Sequence, residues 1–327
     1  MLVKLKNSSI ELWLGIVILA LIIFFSINSD HFLTLKNFLD LAESYSVMGI
    51  FALGLFVVLV TGGIDISFAA IASTIQYTVA TIAMRYGIQD PLIGIIISII
   101  LGLLFGSLNA FLIYYFKVVS IIVTISMQSI LFGVLMWITQ GRNIYLLPDW
   151  MTSFFQIIPF ELSGKSYQIG LPFLILILLS LITWFILNKT NIGRQIYAMG
   201  GDEESARRVG INLSFIHFFA YGYCGVMAAI AGLVQVYRVN EVVPNALVGS
   251  ELDVLAAVVL GGASLSGGKG TVIGTVMGVF CIGILKNGLN LIGVSNYFTN
   301  VVIGAVIIIA ITITHYGKRR ETNVGFA

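Results

Sequence analysis

Polar residues punctuate this chain between long apolar runs. From Leu12 to Phe25 no residue is charged, and between Asp253 and Lys286 the single charge is Lys269. Residues 173–179 are apolar at every position. Such runs do not alternate with period two, which argues against the strands of a membrane β-barrel. A helix needs about 20 mainly apolar residues to cross the hydrocarbon core. Ten segments fit that pattern, at 10–27, 41–60, 66–86, 92–116, 118–139, 171–187, 215–237, 252–266, 271–289 and 298–315. The eighth is short and rich in glycine. The expectation is an all-α polytopic membrane protein with about ten transmembrane helices and Gly-rich helix breaks, a single transmembrane domain over residues 1–327.

Composition agrees. The chain is 58% apolar and 10% charged, with a mean hydropathy of +1.03. Soluble domains run at about 45–50% apolar and about 25% charged, so a soluble enzyme is close to excluded. Lys4 and Lys6 before the first apolar run mimic a signal peptide, but no small-residue cleavage site follows, and the run reads as a retained span. Cys224 and Cys281 both fall inside apolar runs and read as buried, reduced thiols.

The net charge of +2 says little, while its distribution sets an orientation. With ten spans and an inner N-terminus, eleven of the 17 Lys and Arg residues fall inside and six outside, in line with the positive-inside rule. Both termini are then cytoplasmic. A long outer loop runs over about residues 140–170. An inner loop over about 188–214 is the one long, strongly polar stretch between spans on its side.

Three segments carry candidate chemistry. Thr61-Gly62-Gly63-Ile64-Asp65-Ile66-Ser67 interrupts an apolar stretch. Gly62 and Gly63 can break a helix, which membranes tolerate where protein or a water-filled cavity covers the break. Asp65 reads either as a costly intramembrane charge with a functional role or as the N-cap of a helix after a cytoplasmic turn. The second segment, from Gly261 and Gly262 through Gly267, Gly268 and Lys269, resembles a phosphate-binding loop. It fails twice: Ala263 stands where a glycine belongs, and Gly270 replaces the Ser or Thr that would hold magnesium. Close helix packing or a re-entrant break is the better reading. The third segment lies in the inner loop. Asp202 is placed to cap a short helix with Glu203 and Glu204 in its first turn, Ala206 at its middle, Arg207 and Arg208 in its last turn, and Gly210 as its stop. Glu203–Arg207 and Glu204–Arg208 are i,i+4 pairs. By its own residues this is a solvated helix. Intramembrane Gln76, Asn109, Gln128, Gln235, Asn287 and Asn290 singly read as helix–helix contacts and together as a polar path. No catalytic constellation or metal-ligand spacing appears.

These segments together resemble the membrane subunit of ATP-binding-cassette importers for monosaccharides, of the ribose, galactose and xylose type. Residues 59–67, Leu-Val-Thr-Gly-Gly-Ile-Asp-Ile-Ser, are similar to that family's L-T-G-G-I-D-L-S-V-G. The inner loop is similar to its G-R-x-x-Y-A-x-G-G-N-x-x-A-A-R-x-x-G-I segment, and residues 253–270 to a third signature, with Asn287-Gly288-Leu289-Asn290 following. Ala69 departs from the pattern where Gly is usual, Val118-Val119-Ser120 replaces a Pro-containing turn, and Asp202 stands in place of Asn. The resemblance implies a permease in the cell membrane, working beside a second permease copy or paralogue. Separate ATP-binding subunits would use the ATP, with no cofactor in this chain. An extracytoplasmic substrate-binding protein would deliver the sugar at the outer face. It turns the solvated helix at Asp202 into a cytoplasmic coupling element for the ATPase. It leaves Asp65, Ser67, Asn109 and Gln128 as candidate sugar contacts, since sugars need donors and acceptors. Similar motifs serve permeases for autoinducer-2 or nucleosides. An ion-coupled secondary transporter is the alternative class. No partnership with nucleic acid is expected.

Overall fold

A computed structural model describes residues 2–152, 158–162, 165–295, 297–306 and 308, with side chains described for 10–152, 169–295, 297–306 and 308. The end of the expected tenth span and the basic residues 318–320 lie outside the described residues.

Helices α1 (Leu2–Asn28), α2 (Leu35–Ser44), α3 (Ser46–Val60), α4 (Phe68–Tyr86), α5 (Pro91–Phe116), α6 (Ser120–Thr139) and the short α7 (Asp149–Thr152) come first. A hairpin of β1 (Ile158–Leu162) and β2 (Lys165–Ile169) follows, antiparallel with Ile158 opposite Ile169. Then come α8 (Leu171–Lys189), α9 (Asn191–Gly201), α10 (Glu203–Arg208), α11 (Leu213–Val239), α12 (Glu251–Leu260), α13 (Val272–Leu291) and α14 (Tyr297–Val306).

Six of these helices, α1, α5, α6, α8, α11 and α13, are long and apolar enough to cross a membrane, and α2 with α3 makes a seventh if the pair counts as one bent span. The expected third and eighth spans do not qualify by themselves, and of the expected tenth the ten-residue apolar α14 lies within the described residues. Helix α4 has the length, but Ser73, Thr74, Gln76, Thr78 and Thr81 lower its hydropathy. It can carry them because it lies inside the bundle, packed on α11, α6 and α5. Helix α12 is ten residues long, because Gly261 ends it.

Helix α3 is the axis of the protein. It is apolar on all faces, as a helix enclosed by others must be, and every residue of it except Met48 is buried. Helices α11, α8, α12 and α13 pack around it. In lipid the hydrophobic effect does not drive helices together, so contact rests on close backbone approach through small residues. Gly102 and Gly106 on α5 lie against the backbone of Gly225 and Tyr221 on α11, and a methyl group at any of these glycines would overlap main chain. Gly261 and Gly278 meet α12–α13 backbone in the same way.

One end of the bundle is closed by α7. The Trp150 ring lies on Gly94, and its indole N–H donates to the Ile88 carbonyl at 3.0 Å. Trp150→Phe is expected to lower the thermal midpoint in detergent by a few degrees, with a loss of about 1 kcal/mol for the hydrogen bond. Differential scanning fluorimetry of the two proteins checks this.

Candidate coupling and passage site

The glycines marked by the sequence come together. Helix α3 ends at Val60, and Gly62 follows with φ +87°. Helix α9 ends at Gly201. The loop after α12 runs through Gly262, Gly267 and Gly268, all with positive φ. These three chain segments meet in one junction. The Gly268 N–H donates to the Val60 carbonyl at 2.9 Å, and the Tyr197 hydroxyl donates to the Gly270 carbonyl at 3.0 Å. At Gly267 a side chain would meet Gly200 and Gly62 backbone, and at Gly200 it would overlap the Val60 carbonyl oxygen. At Gly267, φ +82°, only glycine permits both the left-handed backbone and the approach. Gly262 faces the Ile10 side chain, and Gly261 faces Gly274.

Helix α10 hangs from this junction. The Asp202 carboxylate accepts from the Ser205 N–H at 2.6 Å, and these backbone bonds hold it below the usual carboxylate range. Arg207 and Arg208 pair with Glu203 and Glu204 at 3.4 and 2.6 Å. Ala206 is the buried residue of α10, and Gly210, φ +84°, releases the chain toward α11. Cap, pairs and anchor leave a charged helix exposed at the end of the bundle where α3 and α12 terminate.

Behind Gly62 and Gly63 the chain enters the bundle. Asp65 is completely buried, and its Oδ1 accepts from the Ser67 N–H at 2.8 Å and the Ser67 hydroxyl at 2.6 Å. Ser67, not Asp65, is the N-cap of α4. Asp65 therefore braces the turn before the cap rather than occupying a solvated one. The Asn109 amide of α5 donates to the Ser67 hydroxyl at 2.8 Å. Ser120 and Thr124 of α6 bond the Ile64 N–H and carbonyl at 3.0 and 3.3 Å. The Tyr221 and Cys224 side chains of α11 border the carboxylate. Asp65 Oδ2, the Asn109 carbonyl and the Tyr221 hydroxyl lack a partner at full hydrogen-bond geometry among the described residues, with the Cys224 thiol beside Asp65 and Ser120 beside Tyr221 as weaker contacts. This polar set holds more donors and acceptors than the turn itself uses. Asp65, Ser67, Asn109 and Thr124 are all buried, so none lines an open passage in this conformation.

Gln128 stands apart from that cluster. It donates to Glu251 Oε1 at 2.8 Å across α6 and α12, while Glu251 Oε2 accepts from the Gly249 N–H at 2.7 Å.

The chain matches the model of a family described as the permease component of branched-chain amino acid transport systems, over residues 37–311. That range contains every residue placed above from Val60 to Gly278. The ribose import permease of Escherichia coli strain K12 is 36% identical over 299 residues, 91% of each chain. The ribose import permease of Bacillus subtilis strain 168 is 37% identical over 301 residues, 91% of this chain and 90% of its own. The xylose transport system permease of Haemophilus influenzae is 29% identical over 373 residues, 97% and 99% of the two chains. The chain belongs to this permease family. No solved structure matches it.

The apolar helices and the family make this permease a multi-pass membrane protein. Its structure adds residues that sequence reasoning passed over. Glu251 is a carboxylate only 5% exposed, yet it sits beside a loop and looks solvated in the sequence. What buries it is the descent of residues 240–250 into the bundle. Val242 pairs with Ile144 near the end of α6, and the Val243 carbonyl accepts from Gln76 within α4 at 3.3 Å. No local pattern marks that course. The spacing Gly102-xxx-Gly106 on α5 is a signal that sequence alone carries, although its partner Gly225 is 119 positions from Gly106.

Proposed function

We propose that this permease is the membrane subunit of an ATP-binding-cassette importer for a monosaccharide. The relatives named for ribose and xylose support that substrate class. The observation that carries the mechanism is the glycine junction. It joins the exposed, capped α10 directly to the segment that leads through Gly62 and Gly63 to Asp65.

In this reading separate ATP-binding subunits dock on α9 and α10, in the inner loop of about 188–214, and the ATP is theirs. Their movement pushes α9 against Val60 and Gly268. Two rigid neighbours then shift, the end of α3 and the loop after α12. The cluster of Asp65, Ser67 and Asn109 opens, and its surplus donors and acceptors meet sugar hydroxyls. The Gln128–Glu251 contact is broken or made as α12 moves against α6. An extracytoplasmic binding protein delivers the sugar at the opposite end, and a second copy or paralogue completes the passage. Ten crossings and cytoplasmic termini follow if α2–α3, α4, α14 with the residues beyond it, and the path from 240 through α12 each count as one.

Arg207→Glu with Arg208→Glu tests the coupling role. The pairs are exposed and worth about 0.3–0.5 kcal/mol each to the helix, so the variant stays folded. ATP-driven uptake by the reconstituted importer is expected to fall at least about tenfold, the equivalent of 1.4 kcal/mol, at unchanged abundance in the membrane. Wild-type uptake in the variant, or uptake by the chain alone under an ion gradient, would overturn this reading.

A further inference from the structure

At the end of the bundle away from α10, a cavity of about 320 Å³ lies between α2, α13 and α14. Its origin is the 45° bend between α2 and α3. Tyr45 closes α2 and opens α3 at once, so α2 leans across α13 instead of continuing along the axis. Irregular backbone of this kind inside a membrane protein occurs where a cavity or protein covers it.

The walls are polar, with Asp40, Ser44, Tyr45, Lys286, Asn290 and Asn300 among them. Their positions are fixed from behind. Asn37 and Asn287 exchange two amide hydrogen bonds, both 3.0 Å, which pin α2 to α13. Lys286 is neutralised by Asp253 of α12 at 2.5 Å. The Tyr45 ring packs on the bare backbone of Gly283. What remains is a set of amides, the hydroxyls of Ser44 and Thr299 and the Asp40 carboxylate, beside a neutralised cation and a phenol ring. The amides and hydroxyls both donate and accept, as each hydroxyl of a neutral polyol requires. With Lys286 held by Asp253, the remaining charged wall group is the Asp40 carboxylate, which accepts from sugar hydroxyls and repels an anion. The volume is at the low end for a ligand pocket, where about 300–1,000 Å³ is usual, and suits one sugar ring rather than a chain of them.

We propose that the cavity at the α2–α3 bend binds a neutral monosaccharide before it reaches the Asp65 cluster. This site rests on the monosaccharide reading above, but it is separate from the Asp65 passage.

Saturation-transfer NMR on the permease–ATPase complex in nanodiscs, without binding protein, tests it with D-ribose, D-xylose and D-allose in turn. One of these sugars is expected to give a signal. Asn290→Leu with Asn300→Leu, both exposed positions, should weaken it about fivefold or more, the cost of about one hydrogen bond. Ser44→Trp, which fills the cavity, should abolish it, and thermal midpoints confirm that both variants are folded. A signal lost in Asp65→Ala but kept in the cavity variants overturns the assignment and leaves the Asp65 passage standing. No signal from wild type with any of the three sugars overturns it too. Uptake by the complete importer is measured in parallel, so that uptake without signal sinks this site alone, and neither uptake nor signal sinks both readings.

Discussion

Gly200→Ala is expected to reduce ATP-driven uptake at least about tenfold, and Gly201→Ala to leave it unchanged. The two residues are neighbours at the end of α9, and helix propensity alone would favour alanine at both by about 0.5–1 kcal/mol. Their surroundings separate them. A methyl group at Gly201 meets nothing within 4 Å, whereas at Gly200 it overlaps the Val60 carbonyl oxygen and crowds the Gly268 N–H. Those two groups bond each other at 2.9 Å, so both neighbours are main chain and neither can turn aside as a side chain would. Overpacking of this sort costs about 1–3 kcal/mol. The strain falls on the junction between α9, α3 and the loop after α12, so transmission should fail before the bundle unfolds. The measurement is uptake and ATP hydrolysis by the reconstituted importer carrying either variant, with abundance and thermal midpoint recorded. Equal uptake in Gly200→Ala and Gly201→Ala would remove the junction from the mechanism.

That junction shows what the sequence carries and what it withholds. Gly62, Gly63, Gly267 and Gly268 stand out locally, because consecutive glycines in apolar sequence have few other uses. Their mutual contact depends on where α9 ends, over 130 residues after Gly62 and nearly 70 before Gly267, and no periodicity encodes that. The outer helices were legible for a related reason. Helices α1, α5, α6 and α8 face lipid over most of their surface, so they must be apolar throughout, and the hydropathy pattern finds them. Helices α4 and α12 are shielded by other helices and escape the requirement. Polar residues enter α4 and a glycine shortens α12, and the span count read from hydropathy loses its footing there. Asp65 lay between the two. Its position beside Gly63 was readable, and its burial at the centre of Ser67, Asn109 and Tyr221 required α5 and α11 to be in place.

Asp65→Ala is expected to lower uptake about tenfold or more, and Asp65→Asn to retain it within about threefold, since the lost bonds rather than the lost charge decide the outcome. Asp65 Oδ1 accepts both the Ser67 N–H and the Ser67 hydroxyl, and the hydroxyl in turn accepts from Asn109. Alanine leaves a buried N–H and a buried hydroxyl without an acceptor at about 1–3 kcal/mol each. The turn that carries Gly62 and Gly63 into the junction then loses its brace. Asparagine keeps a carbonyl oxygen where Oδ1 stands and can accept both bonds. Uptake and membrane abundance of the two variants separate the possibilities. If Asp65→Asn is as inactive as Asp65→Ala at normal abundance, the negative charge itself is required. Oδ2, which the turn does not use, would then be the atom that acts in transport, and bracing the turn would be secondary. If both variants transport normally, the Asp65 segment is a structural corner, and the sugar passes elsewhere.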